Sequence, residues 1–89
     1  MSALPPLDTI NGFPIIATYF TPAQDGCSAG RIILVDRGEK HEERYVVAWQ
    51  RKGDAPGPCW YKAWEAGCYR RTLADARKEF VKRVRKEPA

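Results

Sequence analysis

The hydrophobic and polar positions of this sequence predict four β-strands ahead of a C-terminal helix. Each predicted strand is rich in β-branched or aromatic side chains and is followed by residues that favour turns or solvated connections. The four segments are residues 13–20 (FPIIATYF), 31–36 (RIILVD), 44–50 (RYVVAWQ) and 59–64 (CWYKAW). The third alternates with a period of two, which is typical of a strand with one buried face. The connections are short enough for neighbouring antiparallel hairpins.

The last predicted element is an amphipathic helix. Thr72 is a suitable N-cap, and Asp75 three places later can return a hydrogen bond to the backbone amide of the cap. Apolar residues follow at helical spacing on one side, namely Leu73, Ala76, Phe80 and Val84. Basic residues collect on the opposite side, namely Arg71, Lys78, Lys82 and Arg85. We expect the helix to end near Lys86.

These elements predict an α+β fold, with an antiparallel four-stranded meander and one C-terminal amphipathic helix packed on one face. A chain of 89 residues is long enough for one modest core. Residues 1–12 contain two prolines and an Asn-Gly pair, so we expect an extended N-terminal arm that ends in a turn. Residues 13–87 then form a single domain.

One helix covers only one face of a sheet, so the other face has to be covered or used. In the fourth predicted strand Trp60, Lys62 and Trp64 point to the same side. Four coverings of the second face are open: the N-terminal arm, a second copy of the chain, a partner protein, or stacked nucleic-acid bases. Alternatively, the tryptophans pack against the apolar side of the helix as ordinary core.

The charge of the chain is concentrated at its C-terminal end. Residues 1–69 have a net charge of −1 and residues 70–89 a net charge of +5, within a total of +4. This asymmetry is compatible with a polyanionic partner, and also with a solvated helix face. The segment MSALPPLD has neither the basic start nor the apolar run of a signal peptide, so we expect a cytoplasmic protein without membrane association.

The sequence gives little indication of catalysis or of cofactor binding. The single histidine, His41, lies in a charged connection, and no cysteine is paired with it in a nucleophile–base pattern. Three cysteines, Cys27, Cys59 and Cys68, are spaced too widely for a zinc motif, and we expect free thiols. The glycines fit no phosphate-binding loop. We therefore expect no enzyme, no cofactor and no metal site.

The remaining interpretation is a binding surface. Unstacked bases lie on exposed aromatic rings while lysine and arginine neutralise phosphates, and tryptophan, tyrosine and arginine are also enriched in protein interfaces. Nucleic acid is the first expected partner, and a host protein or nucleoprotein complex is the alternative. A homodimer would also cover the second face. The candidate binding residues are Trp60, Lys62, Trp64, Tyr69, Arg70, Arg71, Lys78, Lys82 and Arg85.

Two stretches, TYFTPAQDGCSAGRI and WYKAWEAGCYRRTLADARKEF, resemble segments of short orphan accessory proteins that phages, plasmids and other mobile elements carry. This resemblance implies an accessory protein of a mobile element, a class that includes DNA-binding factors and small anti-CRISPR inhibitors. The order of four strands and a helix is also similar to that of the Whirly type of single-stranded DNA-binding fold. Neither resemblance assigns a role to a particular residue.

Overall fold

The computed structural model describes residues 8–23, 28–53 and 60–86, which form one curled antiparallel sheet and one helix. The α+β class, the meander order and the C-terminal helix are confirmed, but the sheet has five strands rather than four. The elements are β1 (Thr9–Ile10), β2 (Phe13–Thr21), β3 (Gly30–Asp36), β4 (Tyr45–Arg51), β5 (Glu65–Arg70) and α1 (Leu73–Lys86). Each strand pairs with its neighbour in the chain.

The additional strand, β1, lies in the segment that was predicted as an extended arm. It forms a tight hairpin with β2, in which Ile10 pairs with Phe13 and Thr9 with Pro14. The two residues between them, Asn11 and Gly12, have φ angles of 53° and 83°. Asn-Gly readily adopts such angles, and a two-residue turn of this kind matches the twist of antiparallel strands.

The position of the last strand was predicted wrongly. Residues 59–64 were expected to form it, but β5 spans Glu65–Arg70, and within the described residues Trp60 makes only an isolated bridge to Lys52. Arg70 pairs with Tyr45 at the start of β4, so the chain leaves the sheet directly before α1. Register with β4 therefore outweighed the strand propensity of the aromatic segment.

The helix packs on one face of the sheet and forms a continuous apolar cluster with it. Ile32, Leu34, Val47 and Ala76 are the buried residues of this cluster. Leu73, Phe80 and Val84 of α1 pack against them, as predicted, together with Trp49. The indole of Trp49 lies on Gly30, where a Cβ atom would overlap it, and its Nε1 donates to Thr21 Oγ1 at 3.1 Å.

The opposite face also has a buried centre, which the alternating pattern of residues 44–50 did not predict. Val46, Val47 and Ala48 are consecutive and all fully buried, so β4 is covered on both faces. Ile10 of β1 belongs to the second cluster, and Phe13 and Trp64 pack against it. Part of the N-terminal arm, one of the four coverings considered above, therefore covers the middle of this face together with the segment around Trp64.

The helix begins where the sequence predicts. The Asp75 amide donates to Thr72 Oγ1 at 3.2 Å, and the Ala76 amide donates to the Thr72 carbonyl oxygen at 3.1 Å. Thr72 is therefore the N-cap. Within the described part of the chain, no helix combines the length and the apolar character needed to cross a membrane.

Candidate nucleic-acid interface

Five basic residues lie on the outer side of α1, away from the sheet. They surround the exposed Val81 and share one shallow, open depression with it, and we call them the basic helix surface: Arg77, Lys78, Lys82, Arg85 and Lys86. The geometry follows from 3.6 residues per turn, which brings positions one, four and five apart to the same side. Because Leu73, Phe80 and Val84 of α1 pack on the sheet, this surface faces solvent.

Acidic neighbours balance the basic helix surface only in part: Asp75 and Glu79 share a second depression with Lys78 and Lys82. Within residues 8–23, 28–53 and 60–86, none of its five side chains forms an ion pair. The other basic residues near α1 do: Arg70 and Arg83 pair with Glu79 at 3.2 and 3.3 Å. Arg71 pairs with Glu42 at 2.6 Å. A net positive charge is therefore concentrated on the outer side of the helix.

Glu79 links α1 to the end of β5 through its ion pair with Arg70. Partial burial alone would raise the pKa of its carboxyl group, but the hydrogen bond from Arg83 and the charges of Lys82, Arg83 and Arg70 outweigh this and lower the pKa. Arg83 also donates to the Ala66 carbonyl oxygen at 2.6 Å, which links the helix to β5. Arg70 and Arg83 therefore have structural partners.

The predicted aromatic residues lie on the other side of the sheet. Trp64 packs against the cluster opposite the helix, and its Nε1 donates to Tyr69 Oη at 3.2 Å. Tyr69 is 38% exposed, and the Arg37 guanidinium lies 4.8 Å from the centre of its ring. Trp60 is half-buried, with the Arg31 guanidinium 4.2 Å from its ring centre. Much of each ring already has a partner within the chain.

The structure therefore divides the predicted site residues into two groups. Lys78, Lys82 and Arg85 lie together on the basic helix surface, and Trp60, Trp64 and Tyr69 lie across the sheet from it. Lys62 is exposed and accompanies Trp60. Arg70 forms an ion pair with Glu79 of α1, and the exposed Arg71 forms one with Glu42 of the connection between β3 and β4. No single flat ligand surface includes both groups.

Two residues of the basic helix surface, Arg77 and Lys86, were not among the sequence-predicted binding residues. The signal was present in the spacing, since Arg77 precedes Val81 by four positions and Lys86 follows Lys82 by four. The predicted stripe comprised Arg71, Lys78, Lys82 and Arg85, and the structure groups the last three with Arg77 and Lys86.

Among the described residues, the other reactive groups do not assemble into a site. His41 is exposed and contacts the Phe13 ring edge-on, at a centroid distance of 5.6 Å. Cys68 is a half-buried free thiol, and Cys27 and Cys59 lie outside the described residues. In the described part of the chain, no three His, Cys, Asp or Glu side chains are placed to hold a metal ion. Comparisons with known protein families, with curated proteins and with solved structures find no match.

Proposed function

We propose that this protein is a small non-catalytic binding module of a mobile genetic element, and that its basic helix surface contacts the phosphate backbone of nucleic acid. The observation that carries the proposal is the group of five exposed cations on one side of α1, none of which forms an ion pair within the described residues. The mobile-element origin rests on the sequence resemblance alone.

Backbone contact suits these residues better than base recognition does. Arg77 to Lys86 extend over about 14 Å of helix, and duplex DNA presents one phosphate charge per about 1.7 Å of its axis. Lysine and arginine contacts to phosphates provide affinity and orientation but carry no sequence information by themselves. We therefore propose binding with little sequence preference and strong dependence on salt.

The aromatic residues have a smaller part in this proposal than the sequence suggested. Trp60 and Trp64 are half-buried and engaged by Arg31, the core or Tyr69. Base stacking requires an open ring face, so these side chains are poorly placed to hold a single strand. We expect a duplex to bind at least as well as a single strand of the same length.

The test is a fluorescence anisotropy titration of a labelled duplex with the full-length protein between about 50 mM and about 200 mM salt. We expect the logarithm of the affinity to fall linearly with the logarithm of the salt concentration, with a slope of up to about −4.5 for five phosphate contacts. Absence of binding at the lowest salt concentration would overturn the proposal.

A matched pair of variants locates the surface. Lys82→Glu lies on the basic helix surface, whereas Lys40→Glu makes the same charge change in the exposed turn between β3 and β4. Lys82→Glu should weaken binding and reduce the magnitude of the salt slope by about 1 or more. Lys40→Glu should have a much smaller effect, and equal losses would indicate a response to net charge alone.

A second candidate function, binding of a host protein as an inhibitor or adaptor, is favoured by β2. This strand exposes three large apolar side chains, Ile16, Tyr19 and Phe20, and Phe20 is 65% exposed. Among the described residues, β1 pairs only with Phe13 and Pro14, which leaves most of the outer edge of β2 without a neighbour. Such edges accept a strand from another chain.

Phe20→Ser distinguishes the two functions. It removes an exposed apolar ring without changing the charge, so it should weaken binding of a partner protein or a second copy while leaving the salt-dependent duplex titration unchanged. Sedimentation velocity of the wild-type and variant proteins would detect a homodimer formed through this edge.

A further inference from the structure

The face opposite the helix contains a buried arginine that is held in one orientation. Arg31 in β3 is 2% exposed, and its Nε donates to Gln50 Oε1 at 2.7 Å. Its Nη1 donates to the Asp8 carboxylate, and its guanidinium lies against the ring of Trp60. Gln50 is fixed in turn, because its Nε2 donates to the Tyr61 carbonyl oxygen at 2.7 Å.

The hydrogen-bonding capacity of this guanidinium is only partly used. A guanidinium carries five N–H donors, of which Nε and one donor of Nη1 have acceptors here. The other three, one on Nη1 and two on Nη2, have no acceptor among the residues that the structure describes. The charge of Arg31 is already paired with Asp8, so an oxygen acceptor at the remaining donors would add charge-assisted hydrogen bonds to that pair.

Arg31 lines a cavity of about 290 Å³. Its charged lining consists of Arg31, Lys62 and Asp8, which leaves one positive charge unbalanced. Its apolar lining includes Ile10 and the two consecutive aromatic residues, Trp60 and Tyr61. Pockets for small ligands typically start at about 300 Å³ and combine apolar walls with a few fixed polar groups.

We propose that this cavity is a binding site for a small monocarboxylate with a flat apolar or aromatic body. The two oxygens of a carboxylate can accept from two N–H groups of one guanidinium, and its single charge matches the unbalanced charge of the lining. Lys62 would approach the same carboxylate from the exposed side, and Ile10 and Tyr61 would contact the apolar body. The proposal is independent of nucleic-acid binding, because the basic helix surface lies across the sheet.

The experiment compares benzoate with benzamide, which has the same ring and no charge, in ¹⁵N–¹H correlation spectra of the full-length protein. Benzoate should give saturable shifts at the Lys62 amide and the Trp60 indole N–H, with an affinity at least tenfold above that of benzamide. Equal effects of the two compounds, or no saturable shifts with benzoate, would overturn the proposal. Tighter binding of inorganic phosphate than of benzoate would overturn the assignment to a carboxylate.

Variants at the rim separate binding from folding. Lys62 is exposed, so Lys62→Ala should leave the remaining spectrum intact and weaken benzoate binding several-fold. Lys40→Ala, an exposed lysine elsewhere, should not change the affinity. Asp8 is 54% exposed at its side chain and competes for the same guanidinium, so Asp8→Asn should strengthen benzoate binding. Unchanged affinity in both Lys62→Ala and Asp8→Asn would contradict a site in this cavity.

Discussion

The two faces of the sheet are buried by different means. On one face a single 14-residue helix, α1, covers an apolar cluster that runs across β3 and β4. On the other face short pieces of chain, β1 and the segment around Trp64, cover the centre. Arg31 and Gln50 are buried beyond that centre, next to Trp60. We therefore expect the two faces to respond differently to cavities, and the buried polar groups Arg31 and Gln50 lie on the face opposite the helix.

The largest expected effect comes from close packing on the helix face. Gly30→Ala places a methyl group where the Trp49 indole lies, so we expect it to lower the free energy of unfolding by about 3 kcal/mol. Urea denaturation followed by far-ultraviolet circular dichroism measures the loss.

Two controls test whether the overlap is the cause. In a Trp49→Leu background, Gly30→Ala should cost less than about 1 kcal/mol, because the overlapping ring is gone. Gly38→Ala adds a methyl group in open space at a φ of 87°, so its cost of about 1 kcal/mol should be the same in both backgrounds. If Gly30→Ala lowers the free energy of unfolding as much in the Trp49→Leu background as in the wild type, the packing explanation is contradicted.

Val46 and Val47 test the two faces directly. They are adjacent in β4, fully buried and identical in type, but Val47 belongs to the helix cluster and Val46 to the opposite cluster. We expect Val47→Ala to cost about 2 kcal/mol and Val46→Ala about 1 kcal/mol, because short covering segments can relax into a cavity more easily than a docked helix. Equal costs in urea denaturation would remove the proposed difference between the faces.

The attachment of α1 through Glu79 predicts a dependence on pH. Its pKa is lowered in the folded protein, so the stabilisation is complete above the ordinary glutamate value of about 4.3 and is lost as the pH falls through the folded-state value. Glu79→Gln should reduce the slope of stability against pH in this acidic range. Stability measured by urea titration at several pH values checks this, and an unchanged slope would contradict it.

Asp36 offers a comparison outside the helix. The hydrogen bond and charge of Arg44, together with the Gly38 amide, lower the pKa of its carboxyl group despite partial burial. Asp36→Asn should therefore reduce the same acidic slope in the same direction as Glu79→Gln. If only one of the two variants changes the slope, acid unfolding depends on only one of these two carboxylates.

The smallest expected effect lies on the opposite face. Trp60→Phe retains an aromatic ring but weakens the contact with the Arg31 guanidinium, so we expect a loss of about 0.5–1 kcal/mol. Circular dichroism in urea measures it without reliance on tryptophan fluorescence. A loss as large as that of Gly30→Ala would show that Trp60 is a main support of the fold.

The prediction of elements succeeded where one local signal acted alone and failed where signals competed. Thr72 and the apolar spacing after it located α1, since a cap and an amphipathic period are local properties. The Asn-Gly pair at residues 11 and 12 is a strong hairpin signal, but it was assigned only to a turn at the end of an arm. The aromatic residues 59–64 favoured a strand by composition, whereas pairing with β4 selected Glu65–Arg70.

The candidate binding residues, too, could be predicted from the sequence only where local geometry groups them. The cations of the basic helix surface could be grouped from sequence because helical geometry alone brings them together. The cavity beside Arg31 could not, since it joins Asp8, Arg31 and Lys62 from separate parts of the chain. Arg31 was read only as the first residue of a strand, and no spacing rule indicates that its guanidinium is buried beneath Trp60.

The sequence by itself determined the α+β class, the three strands that begin near residues 13, 31 and 44, and the helix with its two chemically different sides, because propensity and periodicity act between near neighbours in the chain. Only the tertiary structure decided the register of β5, the covering of the second face and the surroundings of Arg31. These features depend on contacts between residues far apart in the chain, whose free energy is set by register and burial rather than by local pattern.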